Sequence, residues 1–391
     1  MKSQIYLDNS ATTKIDPLVV KAMEPYFNEE YGNASSLHYA GLNNRVAIDR
    51  AQAKIAKFLG CDKSEIYFTS GATESDNMAI LGVTEAIRDE SKGSKIHIIT
   101  TKVEHDAIIE PSLELTRRGV EVTYLTPDKN GQISLEKLKA AIKPETVLVS
   151  IMYVNNEIGT IFPIAEIGEL IAKLNIDREH KIYFHTDATQ ALNFLNCQVT
   201  NLKVDLLSLS AHKIYGPKGI GAIYIRKGTP LKPLIFGGHQ QANIRPGTYN
   251  VPAIVGLGVA VDLLLDRQII KTQTIKELRD YLIEQVLKNI SQVKVTGSLE
   301  NRSPNNASFV LAGVDGEDIV LRLSEKGIAV STGSACSSGS LDPSHVLLAI
   351  GLSPEEARGS LRVSLSKYNT RSEIDIFLAE LTTAVDRLRK L

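Results

Sequence analysis

Cysteine is scarce in this chain: Cys61, Cys197 and Cys336 are the only three among 391 residues. An odd and sparse set excludes a disulfide framework and suits a reducing compartment such as the cytoplasm. No CxxC pair, HExxH or comparable His/Cys cluster occurs, which argues against a structural zinc or a dedicated iron–sulfur ligand set, so no metal is expected. No apolar run approaches the about 18 residues of a membrane span, and the opening MKSQIYLDNS lacks the apolar stretch of an export signal. A soluble, unexported protein is expected, and the sequons at Asn33 and Asn306 then carry no glycan. Charge of neither sign prevails, with 44 Lys and Arg against 45 Asp and Glu. Direct binding to nucleic acid or to an anionic membrane is therefore not favoured.

What is present is enough apolar material, 43% of residues, to bury a large core with a smaller companion. Short apolar runs at 66–69, 96–99, 120–125, 147–152, 182–185, 206–209 and 220–225 alternate with helical stretches such as 164–174. The alternation predicts an α/β fold whose mostly parallel central sheet is covered on both faces, with ligand-binding loops at the carboxyl ends of its strands. After Pro252 the texture changes to a long helix over about 253–290, followed by short strands near 308–310 and 361–364 and a helix over 372–389. Residues 16–260 are expected to form the large domain, and 1–15 with 261–391 the small one.

Several segments can carry chemistry. Ser70-Gly71-Ala72-Thr73-Glu74-Ser75 follows a strand and opens a helix, so its N–H groups can cradle a phosphate or simply begin an ordinary capped helix. Asp187 ends an apolar strand, where a carboxylate can pair with a protonated ring nitrogen or cap a helix. Lys213, in Ser208-Leu209-Ser210-Ala211-His212-Lys213 before a glycine-rich turn, reads as a Schiff-base lysine or as a basic surface turn. Cys336 is flanked by Gly333-Ser334-Ala335 and Ser337-Ser338-Gly339, residues too small to pack a core, so an exposed, mobile thiol is expected over about 331–342. Cys61 and Cys197, at the ends of regular segments, default to packing.

Taken together, these segments resemble the NifS/IscS-type cysteine desulfurases, pyridoxal-phosphate enzymes of the class V, fold-type I aminotransferase group. The resemblance rests on Tyr6-Leu7-Asp8-Asn9-Ser10-Ala11-Thr12-Thr13, on Phe68 to Asn77, on Val154-Asn155-Asn156-Glu157-Ile158-Gly159, on the Asp187 and Lys213 segments and on Gly333 to Ser338. It implies that Lys213 holds pyridoxal 5'-phosphate and later shuttles protons, that Asp187 pairs with the ring nitrogen and that Gln190 donates to the phenolic oxygen. His105 would stack on the ring as an acid–base group. Ala72, Thr73, Ser210 and His212 would bind the phosphate, joined by Thr248 from the neighbouring subunit of a homodimer. Asn156 and Arg362 would grip the α-carboxylate of L-cysteine, and Cys336 would take its sulfur as a persulfide and pass it to an acceptor protein such as an iron–sulfur scaffold or a thiolation enzyme.

The match departs from the family pattern at Gly237 to Thr248, which lacks an acidic residue and adds Pro246, and the chain reads to Leu391 without the extension that housekeeping members use to meet their scaffold. The Ser-Ala-Cys-Ser-Ser-Gly sequence fits the group with a long, mobile cysteine loop, favouring direct handover to several acceptors. Two other readings stand beside this one. A selenocysteine lyase or cysteine-sulfinate-acting relative would share Lys213, Asp187 and His105, whereas a non-catalytic scaffold would need none of them.

Overall fold

The computed structural model describes residues 4–91, 94–333 and 343–390, apart from the side chains of 266–271. Its strands in chain order are β1 (Ile5–Tyr6), β2 (Ile66–Thr69), β3 (His97–Thr101), β4 (Glu121–Leu125), β5 (Thr146–Ser150) and β6 (Tyr183–Asp187). They continue with β7 (Leu206–Ser210), β8 (Gly221–Ile225), β9 (Val293–Val295), β10 (Asn306–Leu311), β11 (Ile328–Ala329) and β12 (Ser360–Ser364).

The α/β expectation is met by a seven-stranded sheet in the order β2-β8-β7-β6-β5-β3-β4. Only β8 runs against its neighbours, while the other pairings are parallel. Every residue of β3, β5, β7 and β8 is buried, because separate apolar layers cover the two faces of the sheet. The carboxyl ends of β2, β3, β5, β6 and β7 therefore open along one edge, where loops can converge.

Two strands run further than their apolar residues suggested, β3 through Thr100-Thr101 and β6 through Thr186-Asp187. Hydrogen bonding explains how such polar residues stay buried in β6: His185 lies between the Ser150 and Ser208 hydroxyls at 2.9 Å each, and the Thr186 hydroxyl donates to the Ile151 carbonyl at 2.8 Å.

The outer strand β2 has an unusual cover. The Gln241 side chain accepts from Phe68 N at 2.6 Å and donates to Phe68 O at 2.9 Å, pairing with the strand as a neighbouring backbone would. Gln241, Ala242 and Asn243 all have positive φ, so the Pro246-containing segment forms a compact turn against the sheet edge.

A single helix, Val251–Asn289, leads from the large sheet to the second core. Asn250 caps it by accepting from Ala253 N at 3.3 Å, and Pro252 sits in the first turn, where its missing N–H costs nothing. At Gly258 the helix meets the helix Tyr39–Leu59 so closely that a Cβ would stand 2.7 Å from Ala51 Cα. Beyond it, β12, β10 and β9 form an antiparallel three-stranded sheet and β1 pairs with β11. Ile5, Leu7, Phe309, Leu361, Phe377 and Leu381 pack into a core of their own there. The amino-terminal strand thus joins the carboxyl-terminal part of the chain, with Asp8 bridging to Ser364. No helix among the described residues is long and apolar enough to cross a membrane.

Candidate active site

The strand ends enclose a cavity of about 700 Å³ lined by Ala72, Thr73, His105, Asn156, Asp187, Gln190, Ser210, His212, Lys213 and Arg362. Residues scattered over nearly 300 positions of sequence meet there because all but Arg362 follow or end strands of the large sheet that point to that edge, while Arg362 comes from β12 of the second sheet. Thr248 is exposed and does not line the cavity of its own chain. Cys336 and most of the 331–342 segment lie outside the described residues.

Lys213 ends a short turn after β7. Its Nζ donates to the Ser10 carbonyl and to the Ala11 carbonyl, the latter at 2.7 Å, and Asn193 fixes its backbone by donating to the Lys213 carbonyl at 2.7 Å. The Thr13 hydroxyl donates to His212 O at 2.9 Å and accepts from Tyr215 N at 2.8 Å. The amino-terminal motif is therefore a strap laid across the lysine turn. Gln190 shares this feature, its amide donating to Ser10 O at 3.0 Å.

The Ser70–Thr73 turn faces the Ser210 hydroxyl, which lies 3.9 Å from the position a Cβ on Gly71 would take. Ala72 and Thr73 begin a helix, so their N–H groups have no acceptor within it. Close approach holds the turn against the sheet: a Cβ on Gly221 would stand 2.8 Å from the Gly71 backbone. Burial, reinforced by the adjacent charges of Lys213 and Lys218, pulls His212 down to about 4 and keeps its ring neutral. Small N–H and hydroxyl donors around a helix start are the chemistry a phosphate requires.

His105 caps the helix Asp106–Arg117, its Nδ1 accepting from Ala107 N at 3.1 Å. That bond places the proton of the neutral ring on Nε2. Asp187 is 8% exposed, and its Oδ1 accepts from Thr189 N at 2.8 Å. Two further acids lie nearby that sequence reasoning passed over. Glu104 is fully buried, accepts from Met152 N at 3.0 Å and from the Thr101 hydroxyl at 2.9 Å, and is raised by burial to about 8. Asp76 also lines the cavity, and both its buried oxygens lack a hydrogen-bond partner within bonding geometry among the described residues. Both fall within the motif segments, Glu104 before His105 and Asp76 after Ser75, without a role of their own there. An apolar spacing argument cannot reveal that their side chains turn inward.

Asp187 lines the cavity with Asp76 beside it, and a carboxylate at Asp187 favours a cationic heterocycle above it. Together with the phosphate-type donors at the other end and an amine on Lys213, the residues present fit pyridoxal phosphate.

Arg362 is buried on β12. Its Nη1 donates to Asn156 O and Gly333 O at 3.1 Å each, and its Nη2 donates to Asp8 at 2.8 Å. Nε has no partner among the described residues. The donors left over, on Nε and Nη2, form one edge of the guanidinium, the arrangement that matches a carboxylate with two parallel bonds. Lysine has no such edge. Arg362→Lys should raise KM for an amino-acid substrate about 10- to 100-fold, the scale of a lost charged hydrogen bond, with a smaller change in kcat. Steady-state kinetics would show it, and an unchanged KM would contradict the assignment.

Cys61 and Cys197 are poor nucleophiles: burial raises both thiols to about 12.

Fold and cavity together define a fold-type I transferase. The family model for class V aminotransferases matches residues 5–377. A cysteine desulfurase IscS of Dictyoglomus turgidum is 48% identical, with the alignment covering 100% of this chain and 97% of the relative. Another from Methanosarcina thermophila is 48% identical over 99% of this chain and 93% of its own. The solved structure of a NifS-like protein superposes with a TM-score of 0.91 at 37% identity, covering 98% of this chain and 100% of that one. The chain belongs to the class V aminotransferase family, in its NifS/IscS-type cysteine desulfurase branch.

Proposed function

We propose that the cavity is the cysteine-desulfurizing centre, with Lys213, Asp187 and His105 around pyridoxal 5'-phosphate, Arg362 and Asn156 on the substrate carboxylate, and Cys336 as sulfur acceptor. The observation that carries this reading is the convergence of the Lys213 amine, the Asp187 carboxyl and the phosphate-type donors in one cavity. A structure of SspA, 37% identical and superposing with a TM-score of 0.81 over 94% of this chain, is of a complex with cysteine, which supports cysteine as the substrate.

When bound, the cofactor supplies the electron sink for breaking bonds at the amino acid. The protein positions and moves protons. Arg362 orients the carboxylate, Lys213 removes the α-proton, and Asp187 retains positive charge on the ring nitrogen. The Cys336 thiolate then forms an S–S bond to the substrate sulfur as the C–S bond breaks. The bond's electron pair goes to the β-carbon, which takes a proton and becomes the methyl group of alanine. Sulfur leaves on Cys336 for an acceptor protein in iron–sulfur assembly or thiolation.

A homodimer completes the site. Tyr39, Leu42 and Val46 lie along one helix face at 82%, 53% and 47% exposure, and Tyr31, Leu37 and Phe236 are also exposed. Such an apolar surface supports burial against a second copy. Arg245 pairs with Glu74 at 2.8 Å, tying the Thr248 segment to the phosphate turn's own helix while Thr248 itself stays outside. This placement is compatible with Thr248 reaching the phosphate of the opposite subunit.

Purified protein loaded with pyridoxal phosphate should turn yellow, sediment as a dimer and convert cysteine to alanine, with one sulfur delivered per alanine in the presence of a thiol acceptor. A loaded dimer that makes no alanine would refute the proposed activity, and a fully active monomer would refute the shared site.

A further inference from the structure

Beneath Asp187 lies a carboxyl for which the proposed reaction has no task. Asp76 is 0% exposed, lines the cavity, and has neither oxygen within hydrogen-bonding geometry of a partner among the described residues. The nearby imidazole of His185, with Nε2 at 3.6 Å from Asp76 Oδ1, supplies no countercharge. Its two nitrogens are engaged by the Ser150 and Ser208 hydroxyls, and burial lowers it to about 3, so the ring is neutral. The titratable groups acting on Asp76 are Asp187 and Glu104, both acids, and Glu104 is itself raised by burial to about 8. Two ionised carboxylates with no cation between them are costly in a buried setting, and one of the pair retains its proton.

We propose that Asp76 is a positioning residue that stays a neutral carboxylic acid, leaving Asp187 as the ionised member of the pair. The inference rests on the reading of Asp187 as the ring-nitrogen partner. Holding the proton on Asp76 confines the negative charge to the carboxylate that faces the cavity, with Thr189 N fixing one of its oxygens. An ionised Asp76 would divide the site's charge between two positions and draw a bound cation away from Asp187. Burial and the Asp187 charge both favour the protonated form, and the Ser208 hydroxyl, near Asp76 but outside bonding geometry, opposes them only in part.

The test uses the full chain, loaded with pyridoxal phosphate and after its removal. In infrared difference spectra at neutral pH, Asp76→Asn should delete one protonated-carboxyl C=O band from the loaded protein; deletion of an ionised-carboxylate band instead overturns the proposal. Thermal denaturation provides a second measurement. A carboxyl whose folded pKa is raised contributes stability that is complete below the ordinary value of about 4 and is lost as pH rises through the folded value. The melting temperature of wild type should therefore fall relative to that of Asp76→Asn from about pH 4.5 upwards, by at least ~3 °C. The divergence should shrink in an Asp187→Asn background, where the like charge is gone. Parallel melting curves, or a divergence indifferent to Asp187→Asn, overturn the pairing. These readouts do not need catalysis, so a protein that fails to bind pyridoxal phosphate would sink the proposed function while still testing Asp76.

Discussion

Alanine in place of Lys213 should lower turnover of cysteine by at least about a thousandfold, because in the proposed reaction one amine both holds the cofactor and moves the α-proton. Lys213 alone combines a position in the cavity with a backbone fixed by Asn193 and a side chain led by the Ser10 and Ala11 carbonyls. The other cavity lysine, Lys218, lies on the exposed turn beyond it. Borohydride treatment of wild type should leave pyridoxal phosphate attached to the peptide containing Lys213. Alanine there should abolish the attachment without unfolding the protein, since the strap from Thr13 to His212 and Tyr215 uses backbone groups of the turn and not the amine. Equal attachment in the variant would overturn the assignment.

Serine in place of Cys336 should remove enzyme-bound sulfur and reduce alanine formation by at least ~100-fold, the scale of losing a correctly poised reactive group. A thiol with an ordinary pKa of about 8.5 has an appreciable thiolate fraction near neutrality, which a serine hydroxyl does not. The two remaining thiols offer no substitute, being held protonated by burial. Cofactor binding should survive, because every described group fitted to pyridoxal phosphate lies elsewhere in the chain. Mass spectrometry after brief exposure to cysteine should place one extra sulfur on the Cys336 peptide of wild type and none on the serine variant. Sulfur on Cys61 or Cys197 would defeat the mechanism.

The sheet was legible because its strands are buried on both faces and so appear as short apolar runs. The runs at 66–69, 206–209 and 220–225 coincide closely with β2, β7 and β8. Strand ends were less legible where polar side chains satisfy one another inside the sheet, as at His185 and Thr186. The pairings of β1 with β11 and of Asp8 with Ser364 were hidden, since two-residue strands carry no period. The candidate site is legible in the sequence as separate motifs around Lys213, Asp187, His105 and Arg362, whereas nothing local marks Asp76 and Glu104 as inward-facing.

By itself the sequence determined the α/β alternation, the sparse thiols and which side chains are candidates for the chemistry, because apolar periodicity and residue chemistry are local properties. Tertiary structure decided which of those side chains share a cavity, how the amino-terminal strap meets Lys213, which donors of Arg362 stay unpaired and that two further buried acids lie near Asp187. These depend on strand order and on desolvation, which arise only when distant segments pack together.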